Sequence, residues 1–152
     1  MKTLFFASMM LCLWLMAPLA FAQKKADDII GVWKTGEGNA MVEIKKAQNG
    51  KYFGRVVWLK EPNDESGKPK VDKNNPDETK RSRPVLGLAN LVNFDFVENG
   101  KYENGTIYDP KNGETYNCVM ELVNANSLEV RGFIGVSLFG RTDTWIRQQK
   151  KN

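Results

Sequence analysis

The sequence predicts an all-β fold, an eight-stranded antiparallel up-and-down barrel, and three observations carry that prediction. Short apolar runs are punctuated by Asn49-Gly50, Asn99-Gly100, Asn104-Gly105 and Asn112-Gly113, pairs that tolerate the positive φ tight hairpin turns demand. Within the runs apolar and polar residues alternate, the period of a strand with one buried and one wet face. Every connection but one is short enough for a hairpin, so consecutive strands are expected to be neighbours. Closing eight such strands into a ring removes the unpaired edges that an open sheet would expose.

Residues 1–22 are set aside first. Met1-Lys2-Thr3 is a short positive start, Leu4 to Leu15 an apolar stretch, Pro18 a helix breaker and Ala20-Phe21-Ala22 a small-x-small cleavage site, which together read as an export signal. The competing reading, an uncleaved anchor, needs about 20 apolar residues with suitable flanks. Residues 23–152 then form a single barrel domain, expected in the periplasm or outside the cell. The formal net charge of +4 falls by one with Lys2, and both signs are mixed along the chain, so no nucleic-acid partner is expected. The chain has 0 His, which excludes Ser-His-Asp and Cys-His machinery and imidazole metal sites. Of its 2 Cys, Cys12 leaves with the leader. Cys118 alone cannot form an internal disulfide, and the core must hold the fold by itself.

Strands are expected at 29–35, 40–47, 51–60, 89–98, 103–109, 114–122, 127–134 and 140–147. Before Gly31 there is room for one helical turn. In the second strand Val42 and Ile44 oppose Glu43 and Lys45; the third is apolar on both faces, Phe53, Val57 and Leu59 against Val56 and Trp58. In the fourth, Val92, Phe94 and Phe96 are expected inside against Asn93 and Asp95. Tyr116, Cys118, Met120 and Leu122 alternate with Thr115, Asn117 and Glu121, and Leu128 and Val130 with Glu129 and Arg131. The exceptional connection, 61–87, holds Pro62, Pro69, Pro76 and Pro84 and charges of both signs. A loop this long is either a functional lid or a mobile excursion. A meander places the connections 36–39, 61–87, 110–113 and 135–139 around one mouth, and closure sets Gly31-Val32-Trp33 beside Trp145-Ile146-Arg147 at the other end.

Gly31-Val32-Trp33 on the first strand, facing Arg147 on the last, resembles the signature of lipocalins and the wider calycin barrels. The resemblance implies that Trp33 plugs the closed end with Arg147 packed across it; Arg141 is a second candidate for that partner. Further segments extend the likeness: Gly54-Arg55-Val56-Val57-Trp58-Leu59, Asp72-Lys73-Asn74-Asn75-Pro76, Arg81-Ser82-Arg83-Pro84, Ile107-Tyr108-Asp109-Pro110-Lys111-Asn112-Gly113, and Arg131-Gly132-Phe133-Ile134-Gly135 running to Gly140-Arg141-Thr142-Asp143-Thr144-Trp145. They resemble an uncharacterised family of small exported bacterial proteins, a domain of unknown function with a lipocalin-like barrel. The likeness covers nearly all of 29–147 and implies fold and export without an activity.

The candidate ligand-binding set at mouth and lumen is Trp58, Arg83, Tyr108, Tyr116, Met120, Phe139 and Arg141. Trp58, Tyr108, Tyr116 and Phe139 fall near strand ends at the expected mouth, either as an aromatic collar offering apolar area with polar tips or as plain caps on the core. Arg83 and Arg141, with Arg81 nearby, would hold an anionic head in a guanidinium fork, or else pair with Asp143 or a loop carboxylate. The tip 135–140 is apolar between two glycines and either touches a partner or folds over the barrel end. Asp72-Lys73-Asn74-Asn75-Pro76-Asp77 offers oxygens but lacks the alternating spacing and closing Glu of a calcium loop, so no metal is expected. Asp109, Glu114 and Asp143 have no spacing that singles out a catalytic pair. Cys118 reads as a small core hydrophobe with a raised thiol pKa.

The expected function is non-catalytic binding of a small apolar or amphipathic molecule inside the barrel, without cofactor and without stable membrane insertion after leader removal. The alternative is an interaction or envelope-maintenance protein whose barrel is filled with side chains. An eight-stranded barrel is narrow enough to fill completely or to hold one small ligand.

Overall fold

The structure is a computed structural model and describes residues 23–149; the export leader expected at 1–22 lies outside them. Eight strands, β1 (Gly31–Lys34), β2 (Ala40–Lys46), β3 (Tyr52–Leu59), β4 (Ala89–Phe96), β5 (Lys101–Asp109), β6 (Glu114–Asn124), β7 (Ser127–Phe133) and β8 (Gly140–Gln148), follow one another around a closed barrel. Each pairs antiparallel with its neighbours in the chain, and β1 closes onto β8 with Trp33 opposite Arg147 and Lys34 opposite Ile146. Short 3-10 turns at Ala26–Ile29, Glu78–Lys80 and Ser137–Phe139 decorate the ends. The first takes Ile29 out of the expected first strand.

Asn99 (φ 49°) and Gly100 (φ 83°) both adopt the left-handed conformation of a two-residue hairpin turn. Asn104-Gly105 does not turn the chain. It lies inside β5, where the pairing with β6 shifts between Tyr102 and Gly105 and Asn104 takes φ 61°. The Phe94 ring sits where a Gly105 side chain would begin, 2.5 Å from an ideal Cβ. The Asn-Gly pair is therefore spent on a bulge that admits an aromatic ring. A second irregularity, Asn93 at φ 74°, changes the phase of β4: Phe94 is fully buried, whereas Val92, expected inside, is 41% exposed.

The 3-10 turn Ala26–Ile29 folds under the barrel and closes one end. The Tyr102 hydroxyl donates to the Ala26 carbonyl at 2.7 Å and the Tyr52 hydroxyl to Asp27 Oδ1. Trp33 donates its indole N–H to the Ile29 carbonyl at 2.9 Å. Across its ring lies the Arg147 guanidinium, 4.2 Å from Cζ to centroid, a stacking worth about 1 kcal/mol or more when shielded from water. Arg147 also donates to the carbonyls of Ile30, Asp28 and Ala125. Gly31 makes this possible: an ideal Cβ there would sit 2.6 Å from Arg147 Nη1. Around the plug, Ile44, Tyr52, Leu91, Phe94, Tyr102, Met120, Leu122 and Leu128 form one buried cluster.

Candidate functional site

Towards the other end the inward side chains shrink. On β2 the inward series runs Ile44, Val42, Ala40; on β7 it runs Leu128, Val130, Gly132; on β6 Leu122 and Met120 give way to Cys118. Because strand spacing is fixed by backbone hydrogen bonds, smaller residues leave volume unfilled. The result is a cavity of about 1230 Å³ open at the mouth, walled by Val42, Val56, Ile107, Val130 and Trp145. That is somewhat larger than the roughly 300–1,000 Å³ of common small-molecule pockets.

The rim is polar and knitted together. Glu37 accepts from Lys111 Nζ at 2.7 Å and from Asn39 Nδ2 at 2.6 Å, with Arg141 Nη2 at 3.9 Å. The hydrogen bond and charge of Lys111 hold the Glu37 carboxyl below its ordinary range. Asp143 receives the Gly36 N–H at 3.2 Å and the Trp145 indole N–H at 2.8 Å, tying the connection between β1 and β2 to β8.

The long connection from β3 to β4 is latched onto the barrel. Asp72 is fully buried, and its two carboxylate oxygens accept from the Tyr108 hydroxyl at 2.6 Å, Asn75 Nδ2 at 2.7 Å and Arg83 Nη2 at 3.1 Å. A buried carboxylate demands such partners. Burial, followed by the hydrogen bond to Asp72, pushes the Tyr108 hydroxyl up to about 12. Asn74 adds a bond from Nδ2 to the Lys111 carbonyl at 2.7 Å. The segment that offered calcium-like oxygens is thus an internal clasp.

Of the candidate residues, Tyr108, Tyr116, Phe139 and Arg141 line the cavity. Tyr116 accepts from Asn112 Nδ2 at 2.9 Å, and Phe139 stands 74% exposed at the rim. Trp58, Met120 and Arg83 are not on its wall. Pairing of β2 with β3 sets Val42 opposite Val56 but Met41 opposite Trp58, so Val57 is an extra residue. Beyond that bulge the phase inverts: Leu59 lines the cavity and Trp58 faces outward at 38% exposure. Met120 is enclosed in the core cluster. Arg83 is committed to Asp72. Trp33 and Arg147 form the plug, which leaves Arg141 free for the rim. Cys118 is buried, and burial pushes its thiol up to about 12.

The alternation pattern passed over Asn90. It lies on the cavity wall and is only 8% exposed. No sequence pattern flagged it, because a bulge between β3 and β4 brings it inside.

A family model described as an uncharacterised protein conserved in bacteria (DUF2147) matches residues 31–147. Among solved structures, the chain is similar to protein HP1028 from the human pathogen Helicobacter pylori, described as belonging to the lipocalin family. The two share 27% sequence identity and a TM-score of 0.68, over 80% of this chain and 83% of that one. No curated protein sequence matches.

Proposed function

We propose a carrier role for this chain, which belongs to the DUF2147 family of bacterial proteins: exported, non-catalytic binding of one small apolar or amphipathic molecule in the open half of the barrel. The observation that carries the reading is the cavity of about 1230 Å³ between Val42, Val56, Ile107, Val130 and Trp145. Burying an apolar ligand against such a wall yields roughly 25 cal/mol per Å² removed from water. The latched loop and the Glu37 clamp shape the entrance in advance, so little ordering entropy opposes uptake. Similarity to a lipocalin-family structure supports the same reading at the level of fold. With 0 His in the chain and a buried, raised thiol at Cys118, the usual nucleophile and base pairing is missing among the described residues. Tyr108, Tyr116, Phe139 and Arg141 are the residues assigned to ligand contact.

The protein expressed with its own leader and recovered from the periplasm tests this by native mass spectrometry. The expected spectrum shows a chain beginning at Gln23 with a reproducible small-molecule adduct that is absent from Gly132→Leu, whose new side chain enters the cavity. A clean apoprotein that takes up neither dodecanol nor N-phenylnaphthylamine contradicts the carrier role. One observation favours an interaction role instead: Ile134, Val136, Leu138 and Phe139 are exposed together beside the mouth. That role predicts an apoprotein whose partner binding is lost when Leu138 and Phe139 become Ser.

A further inference from the structure

We propose that Asn90 is the polar anchor of the cavity and that the ligand it selects is a neutral, largely apolar molecule bearing a hydroxyl or amide group; this rests on the carrier role. Asn90 lines the cavity at 8% exposure. Its Oδ1 is buried without a hydrogen-bond partner among the described residues. The other buried polar side chains among the described residues are satisfied: Asp72 and Asn75 bind each other, Tyr108 and the loop.

The placement is built by the backbone. Pairing of β3 with β4 sets Ala89 opposite Arg55 and Leu91 opposite Gly54, with a register shift between them. Asn90 is the extra residue of that bulge. In a regular strand only one of two successive residues points inward; here Asn90 and Leu91 are both buried. Bulges recur where a strand must re-aim a side chain at a site.

The chemistry follows from the group and its surroundings. An apolar residue between Leu88 and Leu91, both buried, would fill this position without an unsatisfied oxygen, so the carboxamide costs stability here unless a bound group pairs it. A carboxamide both donates and accepts. A hydroxyl or amide N–H donates to Oδ1, whereas an ether, which only accepts, or a hydrocarbon leaves that oxygen unpaired. Ionised heads are better met by Arg141, Lys111 and Lys70 at the rim than by a neutral amide among aliphatic side chains.

Affinities of dodecanol and dodecyl methyl ether, measured by displacement of N-phenylnaphthylamine, test the assignment in wild type, Asn90→Leu and the smaller Asn90→Ser. Wild type is expected to prefer the alcohol by roughly tenfold or more, since a site built to pair a hydroxyl discriminates strongly against its absence. In Asn90→Leu the preference should collapse to about twofold or less, with ether binding retained. Equal affinities in wild type overturn the anchor while leaving the carrier role standing, and so does a preference that survives in both variants. Failure of wild type to bind the dye or either lipid overturns the carrier role and the anchor with it. The wild-type comparison needs no variant to fold.

Discussion

The two ends of the barrel are made from the same eight strands yet do different things. At the closed end, large side chains meet in one cluster, and the 3-10 turn, Trp33 and Arg147 satisfy one another's polar groups. At the mouth the same strands carry Ala40, Val130 and Gly132 around open volume, with charged residues on the rim. Stability is concentrated where inward residues are long, and binding capacity where they are short. The division is clearest along β2 and β7, as a taper in side-chain volume, a device by which small barrels fit their interiors.

The largest expected difference between the ends comes from Trp33→Ala. It removes the plug, the indole hydrogen bond and the surface beneath Arg147, and is expected to lower unfolding free energy by about 3–5 kcal/mol, read from urea midpoints. A loss below about 1 kcal/mol would mean that the closed end is not the stabilising half.

Tyr108→Phe acts at the mouth with a smaller effect. It deprives the buried Asp72 of one donor, at about 1–3 kcal/mol. The loss is expected to appear mainly as faster hydrogen exchange in 61–87, with the barrel strands little changed. Uniformly faster exchange through the barrel would show that the clasp belongs to the global core.

The smallest effect concerns acid. The hydrogen bonds from Tyr52 and Lys46 hold the Asp27 carboxyl below its ordinary 3.8, so its stabilisation is complete above that value and disappears as pH falls through the lower folded value. Asp27→Asn should therefore be slightly less stable than wild type at neutral pH, the difference vanishing as pH falls below 3.8. A difference that persists unchanged in acid assigns the loss to packing instead.

Much of the closed end was legible in the sequence. Gly31-Val32-Trp33 with Arg147, and the alternation in 116–122 and 127–130, identified the closing pair and the core faces, because regular strands obey a period of two. The mouth was less legible wherever that period breaks. Val57 inverts the phase ahead of Trp58, Asn93 exposes Val92, and the bulge at Asn90 hides a buried amide in a polar-looking position. The clasp was hidden for another reason: Asp72 and Tyr108 are 36 residues apart, and no local pattern links them. Of the two readings open for Arg83, an anion fork or a loop-carboxylate partner, the structure shows the second, with Asp72 as that partner.

Methyl NMR during titration with dodecanol tests the division of labour most directly. Val42, Val56 and Val130 line the cavity, whereas Ile44, Leu122 and Leu128, packed in one core cluster with Val42 and Val130, do not. Saturable shifts confined to the three valines are expected, and their loss in Gly132→Leu. Methyls that all stay fixed, or that shift equally at both ends, would contradict a barrel open in one half and solid in the other.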